Sequence, residues 1–365
     1  MIKVGGNNKF SQIGESKNNK IVEDGSCIPY PIKLDINISE LLSFSTYSNH
    51  TVWITQDFIG HALGDNREAK ISGTITLEIQ DHEKEFYLAD SQGLPISILS
   101  AVCGNFYTLY LVTRQDGKHL GFVHRAQNEG IPLFVNLNGR QPIAIFGGWE
   151  TAAAILENGE IVVITETVFD SPLKPVETHR LPKGEKAISV ACCSKSIIAL
   201  TKSGRVFIAT LTWDNVLSHF KEIPELRSQN VVDISGTYKH FLVVTDDGKV
   251  FGQGDNLHGK LGFDKENEKI EKFTEIESLR AYKIVHAYAG DDHSLFQTES
   301  GKIIACGKNN FGQLLLENGP SDECVYSPVE TSIEKGATFC IAGNCSSVVF
   351  IDACPPSNTP NIRIP

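Results

Sequence analysis

The sequence predicts an all-β chain folded as a seven-bladed β-propeller. Two long segments, Ile234–Gly262 and Ala289–Leu315, align with each other. Hairpin-like units recur along the chain with no helical periodicity between them. The opening residues repeat the second half of a unit rather than the first. A repeat of this length is the mark of a ring or solenoid architecture, and it must be found before any motif is weighed.

Each of the two long copies reads as a short apolar strand, a tight turn at Gly248 or Gly301, a second strand and a Gly-x-Asn-x-x-Gly-x-Leu loop. In both, a histidine precedes a glycine by 14 positions, His240 to Gly254 and His293 to Gly307. Similar strand-turn units stand at Tyr107–Gly117, Ala152–Gly159 and Ser196–Gly204, with weaker copies at His50–Asp57 and Ser346–Asp352. The last strand residues of the seven units are Thr55, Thr113, Leu156, Thr201, Thr245, Thr298 and Ile351, spaced 43 to 58 residues apart. That spacing fits blades better than the shorter, more even strands of a sandwich.

A closed ring must cover its first and last strand edges. The last unit stops near Asp352 with its second half missing, while Ile2–Gly14 matches Lys302–Leu314. The N-terminal segment is therefore expected to complete the C-terminal blade. One domain is expected over 1–354. Gly73–Pro95 is read as an inter-blade insertion, Lys265–Lys272 as a solvated loop, and residues 355–365, with four prolines, as an extended tail.

Composition narrows the function classes. With 41% hydrophobic and 21% charged residues the chain can bury a large core. A formal charge of -11 disfavours a general phosphate-binding surface, so no direct nucleic-acid contact is expected. Nine cysteines, none spaced as a zinc or redox pair, are read as reduced. No apolar run reaches signal-peptide or membrane-spanning length, so an intracellular monomer, cytoplasmic or nuclear, without membrane insertion, is expected.

Catalytic signatures are missing: there is no phosphate loop, no His-Glu-x-x-His helix and no Gly-x-Ser-x-Gly elbow. No cofactor and no metal are expected. The glycines of 254–262 and 307–312 follow a hairpin and open no helix, which makes them turn residues. His50, His240 and His293 fall at one repeat position, where hydrogen bonds that lock one blade to the next explain them better than a metal does. Vicinal Cys192 and Cys193 suit a buried strand start. The position before the repeat histidine holds Asn49, Tyr107, Glu150, Lys195, Lys239, Asp292 and Cys345, a set without common size or charge. Such variation suits a rim of loops on a rigid frame.

On residues 231–315 and 2–14 the chain resembles the regulator of chromosome condensation family of seven-bladed propellers. The third and fourth units depart from it, because after Gly159 and Gly204 come Ile161–Glu166 and Val206–Leu211 in place of the Gly-x-Asn-x-x-Gly-x-Leu loop. In family members that exchange guanine nucleotide on the small GTPase Ran, acidic and histidine residues at this repeat position contact the GTPase. The resemblance implies Asp292 and His293 as partner-binding residues, with Lys239, His240, Glu150 and Asn49 as rim neighbours. It also implies an exchange factor, which favours the nucleotide-free GTPase and so speeds nucleotide release without bond chemistry. The basic N-terminal arm of that exchanger has no match in the first twenty residues. A non-catalytic scaffold or adaptor propeller is the alternative reading, favoured by the altered third and fourth units.

Overall fold

The computed structural model describes residues 2–6, 30–31, 38–47, 50–65, 79–89, 94–124, 133–165, 176–316 and 324–352. They form seven antiparallel sheets, six of four strands and one of five. The inner strands are Leu41–Tyr47, Pro95–Cys103, Pro142–Gly147, Ala187–Cys192, Val231–Gly236, Ile284–Ala289 and Ala337–Ala342. Each touches the inner strand of the next blade, and the seventh touches the first, so the ring closes.

Closure follows the expected route. Ile2–Gly6 pairs antiparallel with Ser346–Ile351, from Ile2 opposite Phe350 to Gly6 opposite Ser346. Tyr30–Pro31 then pairs with Lys3 and Val4 to give the seventh blade its outer strand. Val4, Val348, Val349 and Phe350 are almost completely buried, which removes the strand edge from solvent and its backbone groups from unpaired exposure.

The core is a series of apolar layers between blades. One layer joins Ile54, Ala62 and Val52 of the first blade to Ile98, Tyr110 and Val112 of the second. Another joins Leu242, Val244 and Val250 of the fifth to Ala287, Phe296 and Ile304 of the sixth. Middle strands such as Ala152–Leu156 and His293–Thr298 are buried on both faces. That is why Ala152–Leu156 reads as an unbroken apolar run rather than as alternation, while in His293–Thr298 the buried polar residues His293, Ser294 and Gln297 find hydrogen-bond partners instead.

Two readings of the sequence are corrected. Part of the stretch taken as an insertion, Ile79–Phe86, is the outer strand of the first blade and pairs with Gly60–Asp65. Its charged Asp81–Glu85 run belongs to that outer strand. The loop read at Lys265–Lys272 ends at Lys269, where the outer strand Lys269–Glu275 of the fifth blade starts. The third and fourth blades, despite their altered loops, keep four strands each, with outer strands of only two residues, Thr178–His179 and Lys221–Glu222. The tail 355–365 lies outside the described residues.

Candidate partner-binding face

One end of the ring gathers the links between each inner strand and its neighbour. The 14-residue spacing seen in the sequence is the pairing that sets this end: His240 lies opposite Gly254 and His293 opposite Gly307. Both glycines have φ above +100°. A Cβ on Gly254 would fall 2.2 Å from the Lys239 carbonyl oxygen, and one on Gly307 2.5 Å from that of Asp292. Only glycine lets the third strand pass this close behind the rim loop.

The repeat histidines lock neighbouring blades. His50 Nε2 is 3.0 Å from Thr108 Oγ1, His240 Nε2 3.0 Å from Ser294 Oγ, and His293 Nε2 2.9 Å from Ser347 Oγ. Each hydroxyl stands one residue beyond the repeat position in the following blade. Ser294 and Ser347 pass the chain of bonds onward, donating to the carbonyls of Lys260 and Gln313. All three imidazoles are completely buried. Burial, then the Lys260 ammonium and His293, push the pKa of His240 well down; burial takes His293 to about 4, against the pull of Asp292. His240 and His293, expected as partner contacts, are thus fixed and neutral inside the ring, out of a partner's reach.

The register of the second blade also needs correction. Gly104 N–H bonds to the Tyr107 carbonyl as Gly290 N–H does to that of His293. Tyr107 therefore occupies the histidine position, and Phe106 takes the rim position assigned to it. Tyr107 is buried, and its hydroxyl lies 3.0 and 3.2 Å from the carbonyls of Gly148 and Thr151 in the third blade. It does the histidine's work with a longer side chain.

The remaining candidates are placed unequally. Asp292 is partly buried, with 28% of its side chain exposed. Its Oδ1 accepts from Lys260 Nζ at 2.9 Å, and its other oxygen lies 3.9 Å from Lys308 Nζ. Burial resists its ionisation, but Lys260, aided by His258 and Lys308, outweighs burial and holds the carboxyl below its usual range. Lys239 is exposed and sits 4.5 Å above the Tyr238 ring, which meets Trp149 edge-on at 4.2 Å. Glu150 is exposed beside Trp149. Asn49 lies outside the described residues.

Two residues that sequence reasoning passed over organise this end. Lys260 is 1% exposed, and its Nζ also donates to Asp255 Oδ2 at 3.0 Å and to the Asp291 carbonyl at 2.9 Å. A buried ammonium is tolerable only with such a full set of acceptors. Asp291, 6% exposed, accepts from the Tyr47 hydroxyl of the first blade and from Thr237 Oγ1 of the fifth. Its backbone N–H donates to Gly343 O of the seventh blade. Beneath this clasp lies a channel cavity of about 80 Å³, lined by inner-strand residues including Phe44, Val102, Tyr288 and Phe339. That is room for a few waters. The Gly-x-Asn loops are structural as expected: Asn256 Nδ2 donates to the carbonyls of Phe263 and Asn267, and Asn309 Oδ1 accepts from Leu314 N–H.

Among the described residues no helix is long and apolar enough to cross a membrane. The profile described as regulator of chromosome condensation (RCC1) repeat matches residues 231–260 and 284–313, and a second of the same description matches 247–297. The chain is 32% identical over 143 residues to the secretion-regulating guanine nucleotide exchange factor of Bos taurus, covering 38% of this chain and 31% of that protein. It is 33% identical over 124 residues to protein RCC2 of Homo sapiens, covering 32% and 23%. The matched part thus spans less than a third of either relative. Among solved structures, human WBSCR16 superimposes with a TM-score of 0.75 at 14% identity, over 96% of this chain and 99% of that one. Prp20p of Saccharomyces cerevisiae, described with its binding to Gsp1p and histones, gives 0.72 at 15% over 95% and 90%. Those identities speak for the fold alone. A closed ring of seven sheets that carries these repeats in its fifth and sixth blades makes the chain an RCC1-like seven-bladed β-propeller protein.

Proposed function

We propose that the chain is a protein-binding propeller that regulates a small GTPase of the Ran type, acting as a guanine-nucleotide exchange factor. One observation carries the reading: in the sixth blade, which matches the repeat, Asp292 is kept ionised and oriented at the rim by a buried lysine. A carboxylate on a rigid loop, with one oxygen left toward solvent and Lys308, is suited to a cationic or amide group of a protein partner. The secretion-regulating relative, itself named an exchange factor, supports the same class. Exchange needs no covalent step. A surface that binds the nucleotide-free GTPase more tightly than the loaded form lowers nucleotide affinity by the same factor.

The test is release of a fluorescent guanine nucleotide from a panel of purified small GTPases, with the wild-type chain and Asp292→Asn. Acceleration by the wild type and its loss, by about tenfold or more, in the variant is expected. Asn preserves shape while Lys260 keeps Asp255 and the Asp291 carbonyl, so the fold should survive. The scaffold reading is favoured by a separate observation, the replacement of the Asn-centred loop in the third and fourth blades. Stable GTPase binding without any acceleration of release would decide for it.

A further inference from the structure

The fourth blade breaks the repeat at the end of its third strand, and what replaces the Asn-centred loop is a self-contained hairpin. Leu211 and Leu217 form a bridge, Thr212 N–H donates to the Val216 carbonyl, and Asn215 N–H donates to that of Thr212. The Thr212 hydroxyl donates to Asp214 and lies 3.0 Å from both the N–H and the carbonyl oxygen of Val216. Asn215 takes φ of +62°, the left-handed turn conformation that Asn tolerates. Every backbone link needed to hold the tip is internal to it. At that tip stands Trp213, 91% exposed, with Val216 53% exposed beside it.

A tryptophan so placed gives nothing to the fold, because it buries almost no surface. The bonded turn beneath it has already paid the ordering entropy that binding would otherwise cost. Large aromatic side chains on rigid supports are the usual energetic centres of protein interfaces. The surroundings add a chemistry. The hairpin base is fastened to the rim by Leu211 N–H to the Lys195 carbonyl, and Ser194 N–H continues to the Tyr238 carbonyl of the next blade. Lys195 is exposed and Lys239 is exposed over Tyr238, and neither forms an ion pair within 4.0 Å among the described residues. Tyr238, beneath Lys239, meets the Trp149 ring edge-on.

We propose that the Trp213 hairpin, with Lys195 and Lys239, is a docking surface for a protein segment that presents apolar side chains between carboxylates. The tryptophan supplies the apolar anchor, and the exposed Lys195 and Lys239 ammonium groups receive the carboxylates. An anionic membrane is the other partner that Trp and Lys together would suit. It is disfavoured because Asp214 flanks Trp213 at the tip, Glu150 stands on the neighbouring rim, and the whole chain carries a charge of -11. The surface is centred on the fourth blade and is opposite in sign to the Asp292 site, with Lys239 of the fifth blade standing between the two, and the inference stands whether or not the partner is a GTPase.

The experiment uses the full chain and fluorescein-labelled peptides of about twelve residues that alternate Glu or Asp with Leu or Phe. Counterparts with Lys in place of the acids, and vesicles of phosphatidylserine in phosphatidylcholine, serve as the other arms. Fluorescence polarisation should show the acidic peptides bound, and the Lys counterparts bound about tenfold more weakly or not at all. Trp213→Ala, and separately Lys195→Glu with Lys239→Glu, should each weaken acidic-peptide binding about tenfold or more. Circular dichroism should show all variants folded, since none of the three side chains is buried. Equal binding of acidic and basic peptides, no binding of either, unchanged affinity in Trp213→Ala, or Trp213-dependent binding to the vesicles alone would each overturn the proposal.

Discussion

Asp291 and His293 stand two residues apart and titrate in opposite senses on folding. Burial lifts Asp291 from 3.8 to about 6, with Asp292 adding to the effect and the Tyr47 and Thr237 hydroxyls and Lys260 opposing it. Between those values the folded chain holds a proton that the unfolded chain has lost, so Asp291 contributes stability that fades as pH rises through about 6. His293 is depressed from 6.5 to about 4, so in that window the unfolded chain takes up the extra proton and acidification destabilises the fold. His240, pushed down by burial, acts in the same sense as His293. The histidines outnumber the carboxyl, and the wild type should therefore lose stability between about pH 7 and about pH 4.5. Asp291→Asn should make that loss steeper, and His293→Gln should make it shallower. Urea midpoints measured across the range check both slopes. Parallel curves for wild type and Asp291→Asn would show that the carboxyl does not titrate with folding.

At the scale of strands and loops, the tightest constraint is the passage of the third strand behind the rim. Gly254→Ala and Gly307→Ala would each force a Cβ into a backbone carbonyl and a residue with a side chain into φ of +117° or +110°. Each should cost about 3 kcal/mol or more in denaturant unfolding. Gly139→Ala, at φ of +74° with open space around the added carbon, should cost less, about 1 kcal/mol. These glycines were legible because a repeat preserves a backbone demand as a letter. The middle strands were legible for a related reason, since burial on both faces leaves an apolar run. Outer strands were not: Lys269–Glu275 has one buried residue in seven, Phe273, and two-residue strands such as Lys221–Glu222 leave no pattern at all. Every inner strand also carries a bulge, at Leu42, Leu99, Ile143, Ile188, Val232, Val285 and Thr338, which shifts the apolar alternation by one and hides it from a period-two reading. Of the candidate site, Asp292 was visible from its place in the repeat. Lys260 was not, because the residue at the same loop position in the sixth blade is Gln313, and the lysine's burial depends on acceptors some thirty residues away.

For the whole molecule, the decisive contacts join residues that only closure can bring together. The Tyr47 hydroxyl reaches Asp291 across 244 positions of sequence, and Lys3 lies opposite Val349. Neither contact has local support, so both depend on the first strand pairing with the last blade. Phe44, Trp53 and Leu63 of the first blade and Val348 and Phe350 of the seventh share one apolar cluster with Ile2 and Val4. Opening the ring would break this cluster and expose the edge of Ser346–Ile351 at the same moment. Val4→Asp puts an unpaired carboxylate into that cluster, and burial of such a charge should cost about 3 kcal/mol or more. The exposed edge should then pair between molecules. The expected outcome is a lowered melting temperature together with concentration-dependent aggregation by light scattering. Lys3→Asp, on the same strand with a side chain that is only partly buried, should leave the melting temperature nearly unchanged. If Val4→Asp melted as the wild type does and stayed monomeric, the strand pairing that closes the ring would not be what holds it, and the clasp from Tyr47 to Asp291 would have to bear the closure alone.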